Sequence, residues 1–200
     1  MNKLKFENYM KIFLNENSKL NLISKNEEKF LWEKHIYDSL AIEKFFEKYN
    51  IKDLSGKKLL DIGTGGGFPS VPIALQYPEL EVIALDSIHK KINSIIEIKN
   101  LLNIKNLNTI CNRAENISPQ TFDFITSRAV ASLKILISYA IPLLDKNGYF
   151  IAYKSLKVQE EISDAKTALK KFNAEICDLI EYKLPLSENH TRNLVIIKKS

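Results

Sequence analysis

Two cysteines in 200 residues, Cys111 and Cys177, are too few for a disulfide framework. They read as reduced thiols, in the core or next to it, of a cytoplasmic protein. Three histidines lie scattered and away from the cysteines, so no metal-ligand spacing exists and no metal is expected. No apolar run approaches the roughly 18–20 residues of a membrane span. The N-terminal Met1-Asn2-Lys3-Leu4-Lys5-Phe6 lacks a hydrophobic signal core. Prolines number six and no low-complexity linker or internal repeat occurs. These absences exclude membrane, disulfide-stapled and metal-cluster classes. At 45% hydrophobic residues with nineteen aromatics, the chain is long enough to bury one sizeable core.

Glycine is also scarce, yet four of the six glycines fall between positions 63 and 67. They follow Leu59-Leu60-Asp61-Ile62, an apolar run that suits a buried parallel strand. Gly63, Gly65 and Gly67 lack the Cβ atoms that would keep a ligand off the backbone. Phe68-Pro69-Ser70-Val71-Pro72 opens a helix whose prolines sit in its entry or first turn. Strand, glycine turn and helix make a nucleotide-type pocket at the carboxyl edge of an α/β sheet. The spacing G-x-G-x-G differs from the G-x-G-x-x-G of dinucleotide sites. Asp61 just before it suits the cationic amino group of a methionine moiety better than a pyrophosphate. Asp86, 23 positions beyond Gly63 at the end of Val82-Ile83-Ala84-Leu85, can accept both ribose hydroxyls of an adenosine. The pattern points to S-adenosylmethionine, against a glycine turn that holds no ligand.

Residues 57–200 alternate in period. Strands are expected at 58–62, 81–85, 107–110, 122–126, 148–153, 174–182 and 193–198, and helices at 69–76, 88–102, 131–143 and 157–171. Such alternation means a doubly wound, Rossmann-like sheet of about seven strands. The last two lack a helix between them, so one strand is antiparallel. Residues 1–56 form a helical extension: a stripe over 3–14, a polar loop from Asn15 to Asn26, and a helix to Tyr49 broken near His35. Trp32, Phe45 and Phe46 read as core. His35 reads as a packed residue more than a functional one, as do Asp38 and Ser39. Net charge is +5, with the excess in both flanks, which is compatible with phosphate contacts.

The segment after the fourth strand, Asp123-Phe124-Ile125-Thr126-Ser127-Arg128, narrows the methyl acceptor. It lacks the Asn/Asp-Pro-Pro-aromatic box that orients an exocyclic amine. Neither cysteine sits in the turn that cytosine C5 transfer requires. No evident general base serves an oxygen acceptor. A heteroaromatic nitrogen with a free lone pair, such as guanine N7, needs neither base nor nucleophile, only alignment. A small metabolite with such a nitrogen passes the same test.

The chain resembles the RsmG (GidB) family of bacterial 16S rRNA guanine-N7 methyltransferases. The resemblance rests on Asn17 with Asn21-Leu22, His35 with Asp38-Ser39, Asp61 through Pro69, Leu85-Asp86-Ser87 with Lys90-Lys91, Arg113-Ala114-Glu115, Ser127-Arg128-Ala129 with Ala131-Ser132-Leu133, and Lys154. It implies S-adenosylmethionine contacts at Gly63, Phe68, Ala114, Glu115 and Arg128, with Asp86 and Ser87 beside the adenosine. It also implies a splayed loop nucleotide of the small ribosomal subunit as target. Arg128 is expected to hold cofactor carboxylate or RNA phosphate, with no other catalytic residue assigned. Lys90, Lys91, Lys154 and Arg192 are candidate RNA contacts, and a monomer is expected. Gly66 stands where the family usually has Pro, Glu16 and Ser18 replace Trp and Lys, Ser155 replaces Gly and Asn193 replaces His. These departures are expected to lie outside the cofactor pocket. The rivals are a small-metabolite methyltransferase, a nicotinamide dehydrogenase, and a cofactor-sensing RNA-binding assembly factor without turnover.

Overall fold

The computed structural model describes residues 2–117, 121–187 and 190–199. A seven-stranded sheet runs in the order β3-β2-β1-β4-β5-β7-β6. Its strands are β1 (Lys58–Ile62), β2 (Glu81–Asp86), β3 (Leu107–Cys111), β4 (Phe122–Arg128), β5 (Leu144–Lys154), β6 (Ala174–Lys183) and β7 (Thr191–Lys199). β7 pairs antiparallel with both β5 and β6, and the pairs among β1 to β5 are parallel. The Rossmann-like reading with one antiparallel strand therefore holds. The 183–191 connector joins the last two strands directly, as expected; its residues 188 and 189 lie outside the described residues.

Alternate strand residues face opposite sides, and the two faces bury separate clusters. Leu59, Val82, Ala84, Phe124 and Ile151 pack toward α4 (Ser70–Gln76) and α5 (His89–Leu101). Leu60, Ile83, Leu85, Ile125 and Phe150 pack toward α6 (Leu133–Leu143) and α7 (Val158–Lys171). Because the first five strands are parallel, the ends of β1, β2, β4 and β5 share one carboxyl edge, where open α/β sheets bind ligands.

The N-terminal segment joins the first of these cores. It comprises a short 3₁₀ turn, α1 (Glu7–Leu20), α2 (Lys25–Glu28), a π-helical stretch Leu31–Tyr37 and α3 (Ile42–Lys48). Phe46 packs 5.3 Å from Phe124 and 5.4 Å from Tyr77, and Phe13 lies 5.0 Å from Phe68. Trp32, Phe45 and Phe46 are core, as their spacing suggested. The loop expected from Asn15 is instead the last part of α1. Only one face of that polar run meets water: Glu16 and Asn17 are buried, and Asn21 in the left-handed region ends the helix. Asn17 Oδ1 accepts from Ile23 N at 2.8 Å, and its Nδ2 donates to Glu28 at 2.7 Å, which fixes the turn into α2. Of the two thiols read as core or next to it, Cys111 is half-buried against the first core, whereas Cys177 is exposed because alternation along edge strand β6 turns it outward.

Three long-range bonds fasten this segment to the sheet. Tyr153 Oη donates to Ser39 O at 2.7 Å, Tyr182 Oη to Asp38 Oδ1 at 2.6 Å, and Arg128 Nη1 to Asp38 Oδ2 at 2.8 Å. Burial and the Asp38 charge hold both tyrosine hydroxyls protonated well above their usual range. Tyr182→Phe removes a buried donor to a carboxylate and is expected to lower unfolding free energy by about 1.5–3 kcal/mol, measured as a shifted urea midpoint at unchanged slope.

Candidate active site

β1 ends at Ile62 and the backbone turns through Gly63 (φ +71°), Gly65 (φ +59°) and Gly67 (φ +89°), all in the region L side chains rarely adopt. Each glycine has its own reason. A Cβ at Gly63 would stand 2.4 Å from a Val130 methyl, and one at Gly67 would stand 2.6 Å from Val71. At Gly65 a Cβ would meet no atom closer than 4.0 Å, because it projects into open space. Thr64 N bonds Leu85 O at 2.9 Å and Gly65 N bonds Asp86 Oδ2 at 2.9 Å, so the loop is tied to the end of β2.

The two acids flanking the loop behave differently. Asp61 is fully buried; its carboxylate accepts from Ser70 N at 3.2 Å and Thr126 Oγ1 at 3.0 Å. It joins β1, the start of α4 and β4, and lines none of the three cavities described below. Burial raises its pKa to about 6, against the lowering effect of its hydrogen bonds and of Arg128. Asp86 sits at the sheet edge, accepting from Gly65 N and from Ile88 N at 3.0 Å, with Lys91 Nζ 3.8 Å away.

Arg128 closes β4 and is largely buried. Nη1 donates to Lys34 O at 2.9 Å and to Asp38, Nη2 faces His35 Nδ1 at 3.2 Å, and the guanidinium lies 5.3 Å from the Phe68 ring centre. Lys34 and His35 belong to the π-helical stretch, a rare form that is frequent at functional sites. Burial, then Arg128 and Lys34, lower the His35 pKa to about 3, so its ring is neutral at physiological pH. Ala129 follows at φ +57°, a strained conformation for an L residue. Lys154, closing β5, donates to Ala131 O at 2.9 Å and Glu161 Oε2 at 2.6 Å, and Leu133 N bonds the same carboxylate oxygen at 2.8 Å.

Three cavities adjoin at Ala129. The first, about 440 Å³, is lined by Gly63, Asp86, Ser87, Ala114, Glu115 and Tyr139 among others. The second, about 480 Å³, is lined by Glu27, Lys34, His35, Arg128, Lys154 and Arg192 among others. The third, about 360 Å³, lies over Gly63, Gly65, Gly66 and Phe68, and shares His35, Glu27 and Arg128 with the second. These sizes are ordinary for small-molecule sites.

The family model described as GidB, rRNA small subunit methyltransferase G, matches residues 2–195. The chain belongs to this family. A ribosomal RNA small subunit methyltransferase G of Thermoanaerobacter sp. (strain X514) is 39% identical over 199 residues, covering 97% of this chain and 80% of that relative. The protein of the same name from Lactococcus lactis subsp. cremoris (strain MG1363) is 36% identical over 97% of this chain and 81% of its own length. Among solved structures, the ribosomal protein L11 methylase of Lactobacillus delbrueckii subsp. bulgaricus superposes with a TM-score of 0.57 at 20% identity, over 79% of this chain and 76% of that one. The M. jannaschii TYW2 structure in complex with AdoMet superposes with 0.58 at 17% identity, over 78% of this chain and 73% of that one. Both likenesses confirm the fold class.

For this family member, the residues singled out in the sequence divide by position. Gly63, Asp86, Ser87, Ala114 and Glu115 converge on the first cavity, and Gly65, Phe68 and Arg128 border the third. Lys154 and Arg192 line the second, while Lys91 borders the first and third. Asp61, Gly67 and Lys90 line none of the three. Of the departures expected to lie outside the cofactor pocket, Gly66 borders the third cavity, over the glycine loop, and Ser155 borders the second. A Cβ at Gly66 would be 3.2 Å from Leu22, so α1 and its exit loop close tightly over that position. Glu27, Lys34, Val130, Ile135 and Tyr139 also line cavities without a sequence signal, because only the tertiary fold brings them there.

Because the folded pKa of Asp61 exceeds its ordinary 3.8, the group favours folding most when protonated. Its contribution falls as pH rises from about 4 to about 6, by on the order of 3 kcal/mol. Asp61→Asn is expected to flatten that stretch of the stability–pH curve, measured by urea unfolding from pH 3.5 to 7.5.

Proposed function

We propose that the protein transfers a methyl group from S-adenosylmethionine to N7 of a guanine in 16S rRNA of the small ribosomal subunit, in the cytoplasm. One observation carries the reading beyond family membership. A glycine-floored pocket meets, at Ala129 and the carboxyl ends of β1, β2 and β4, a second pocket lined by four cations and three carboxylates.

The residues fit S-adenosylmethionine. Asp86 and Ser87 would border the adenosine, Ala114 and Glu115 the base, and Gly63, Gly65 and Phe68 the methionine side. Each Asp86 oxygen accepts one backbone N–H and keeps a second lone pair for a ribose hydroxyl. The bound cofactor supplies an electrophilic methyl group on a positively charged sulfur.

Several acid–base groups beside the junction are already engaged, and the carboxylates that remain, Glu27 and Glu115, are not needed by an acceptor that has no proton to lose. Asp38 is engaged by Arg128 and Tyr182, and Glu161 by Lys154 and Leu133 N. The His35 Nδ1 lone pair faces Arg128. Neither cysteine lines any of the three cavities, so no thiol nucleophile is available there. A guanine N7 lone pair needs only placement in line with the methyl group, and the shared wall at Ala129 would supply it. The second cavity mixes charge: Arg128 and Lys154 are paired with Asp38 and Glu161, which leaves Lys34 and Arg192 as the lining cations best placed to meet a nucleotide phosphate.

The reaction is tested by incubating the protein and labelled cofactor with small subunits from cells lacking this enzyme, then digesting the rRNA. Tritium in 7-methylguanosine is the expected result; label elsewhere or none overturns the reading. Transfer should weaken steeply with added salt, as phosphate contacts do and a metabolite acceptor would not. Gly65→Val places a branched side chain at positive φ and into the third cavity. It is expected to weaken S-adenosylmethionine binding by more than about 100-fold by calorimetry, while the Asp61 contacts and the overall fold persist.

A further inference from the structure

His35 Nε2 is buried and has no hydrogen-bond partner. A guanidinium only donates, so Nδ1 accepts from Arg128 and the neutral ring must carry its proton on Nε2. Glu27 Oε2 is the nearby acceptor, but at 3.9 Å it is beyond bonding reach. The imidazole is 10% exposed and the Glu27 side chain 41% exposed, so the ring is held in place while Glu27 has room to swing. Both residues line the second and third cavities, on the wall they share with Arg128. A fixed donor thus stands beside a movable acceptor where the two pockets meet. A buried donor left unsatisfied is costly unless something supplies its acceptor.

We infer that His35 Nε2–H and the Glu27 carboxylate form a donor–acceptor pair that reads the O6 and N1–H edge of the target guanine, an assignment resting on the guanine-N7 reading above. Guanine presents an acceptor, O6, next to a donor, N1–H. Adenine presents the reverse order, so each protein group would face its own kind. O6 lies between N7 and N1. Bonds to O6 and N1–H therefore hold the base while leaving the N7 lone pair unoccupied, which a donor placed on N7 would not. The neutral imidazole adds no positive charge beside a ring that becomes cationic on methylation, and the Glu27 carboxylate adds a negative one.

The test uses the full chain with small subunits reassembled around rRNA carrying guanine, inosine or 2-aminopurine at the methylated position. Inosine keeps O6 and N1–H; 2-aminopurine has neither. The wild-type protein is expected to methylate guanine and inosine at similar kcat/KM and 2-aminopurine about 100-fold less well. Glu27→Ala and His35→Ala are expected to lose about 10- to 100-fold on guanine and inosine but little on 2-aminopurine, so that discrimination collapses. Equal losses on all three bases, or no loss, overturn the assignment. Should His35→Ala fail to fold, the more exposed Glu27→Ala decides alone. If the wild-type digest contains no 7-methylguanosine, the guanine reading itself falls and takes this pair with it. If 7-methylguanosine is present and discrimination survives in the variants, the pair alone is wrong.

Discussion

The site depends on how a charge that cannot leave is accommodated. Arg128 ends a central strand, and the helices of the N-terminal segment close over it. A guanidinium so placed is tolerable only if its donors are answered, and they are, by Lys34 O, Asp38 and His35. The sequence suggested a ligand-binding arginine. In the structure it braces the π-helical stretch against the sheet and packs over the Phe68 ring. Removing it would leave Asp38 buried with half its partners and would release the wall between two cavities at once.

The central strands were readable from residue patterns because both of their faces bury apolar clusters, which makes each a short unbroken apolar run. Leu59 and Leu60 illustrate this: neighbours in the chain, they belong to opposite cores. The glycine loop was readable because positive φ at three positions leaves few alternatives to glycine. The N-terminal segment was harder. Asn15 to Leu20 looks like a loop by composition, yet it is helix because its buried face is polar and internally bonded, which periodicity of apolar residues cannot register. The neutral state of His35 was equally hidden, since burial and the guanidinium of Arg128, 93 residues downstream, outweigh the neighbouring Lys34 that the sequence does show.

The second acid of the site shows the same limit. Asp61 and Asp86 both follow apolar runs at strand ends, and by pattern alone they are interchangeable. Two positions of register separate them: Asp61 lies level with Ala84 and pairs with Thr126 inside the sheet, whereas Asp86 is the last residue of its strand. The first therefore spends its carboxylate on holding three elements together, and the second, also buried, spends its own on Gly65 N and Ile88 N while lining the first cavity. Shared sequence context does not imply a shared role when the partners differ.

The clamp on Asp38 has an implication for protein synthesis. Its two fasteners lie 90 and 144 residues downstream, on β4 and β6. A nascent polypeptide can pair its early parallel strands soon after they leave the exit tunnel, but β6 must emerge before Tyr182 reaches Asp38, and β7 must then thread between β5 and β6. The cavity lined by Asp38 and Arg192 is thus completed last, and an incompletely translated copy lacks one of its walls.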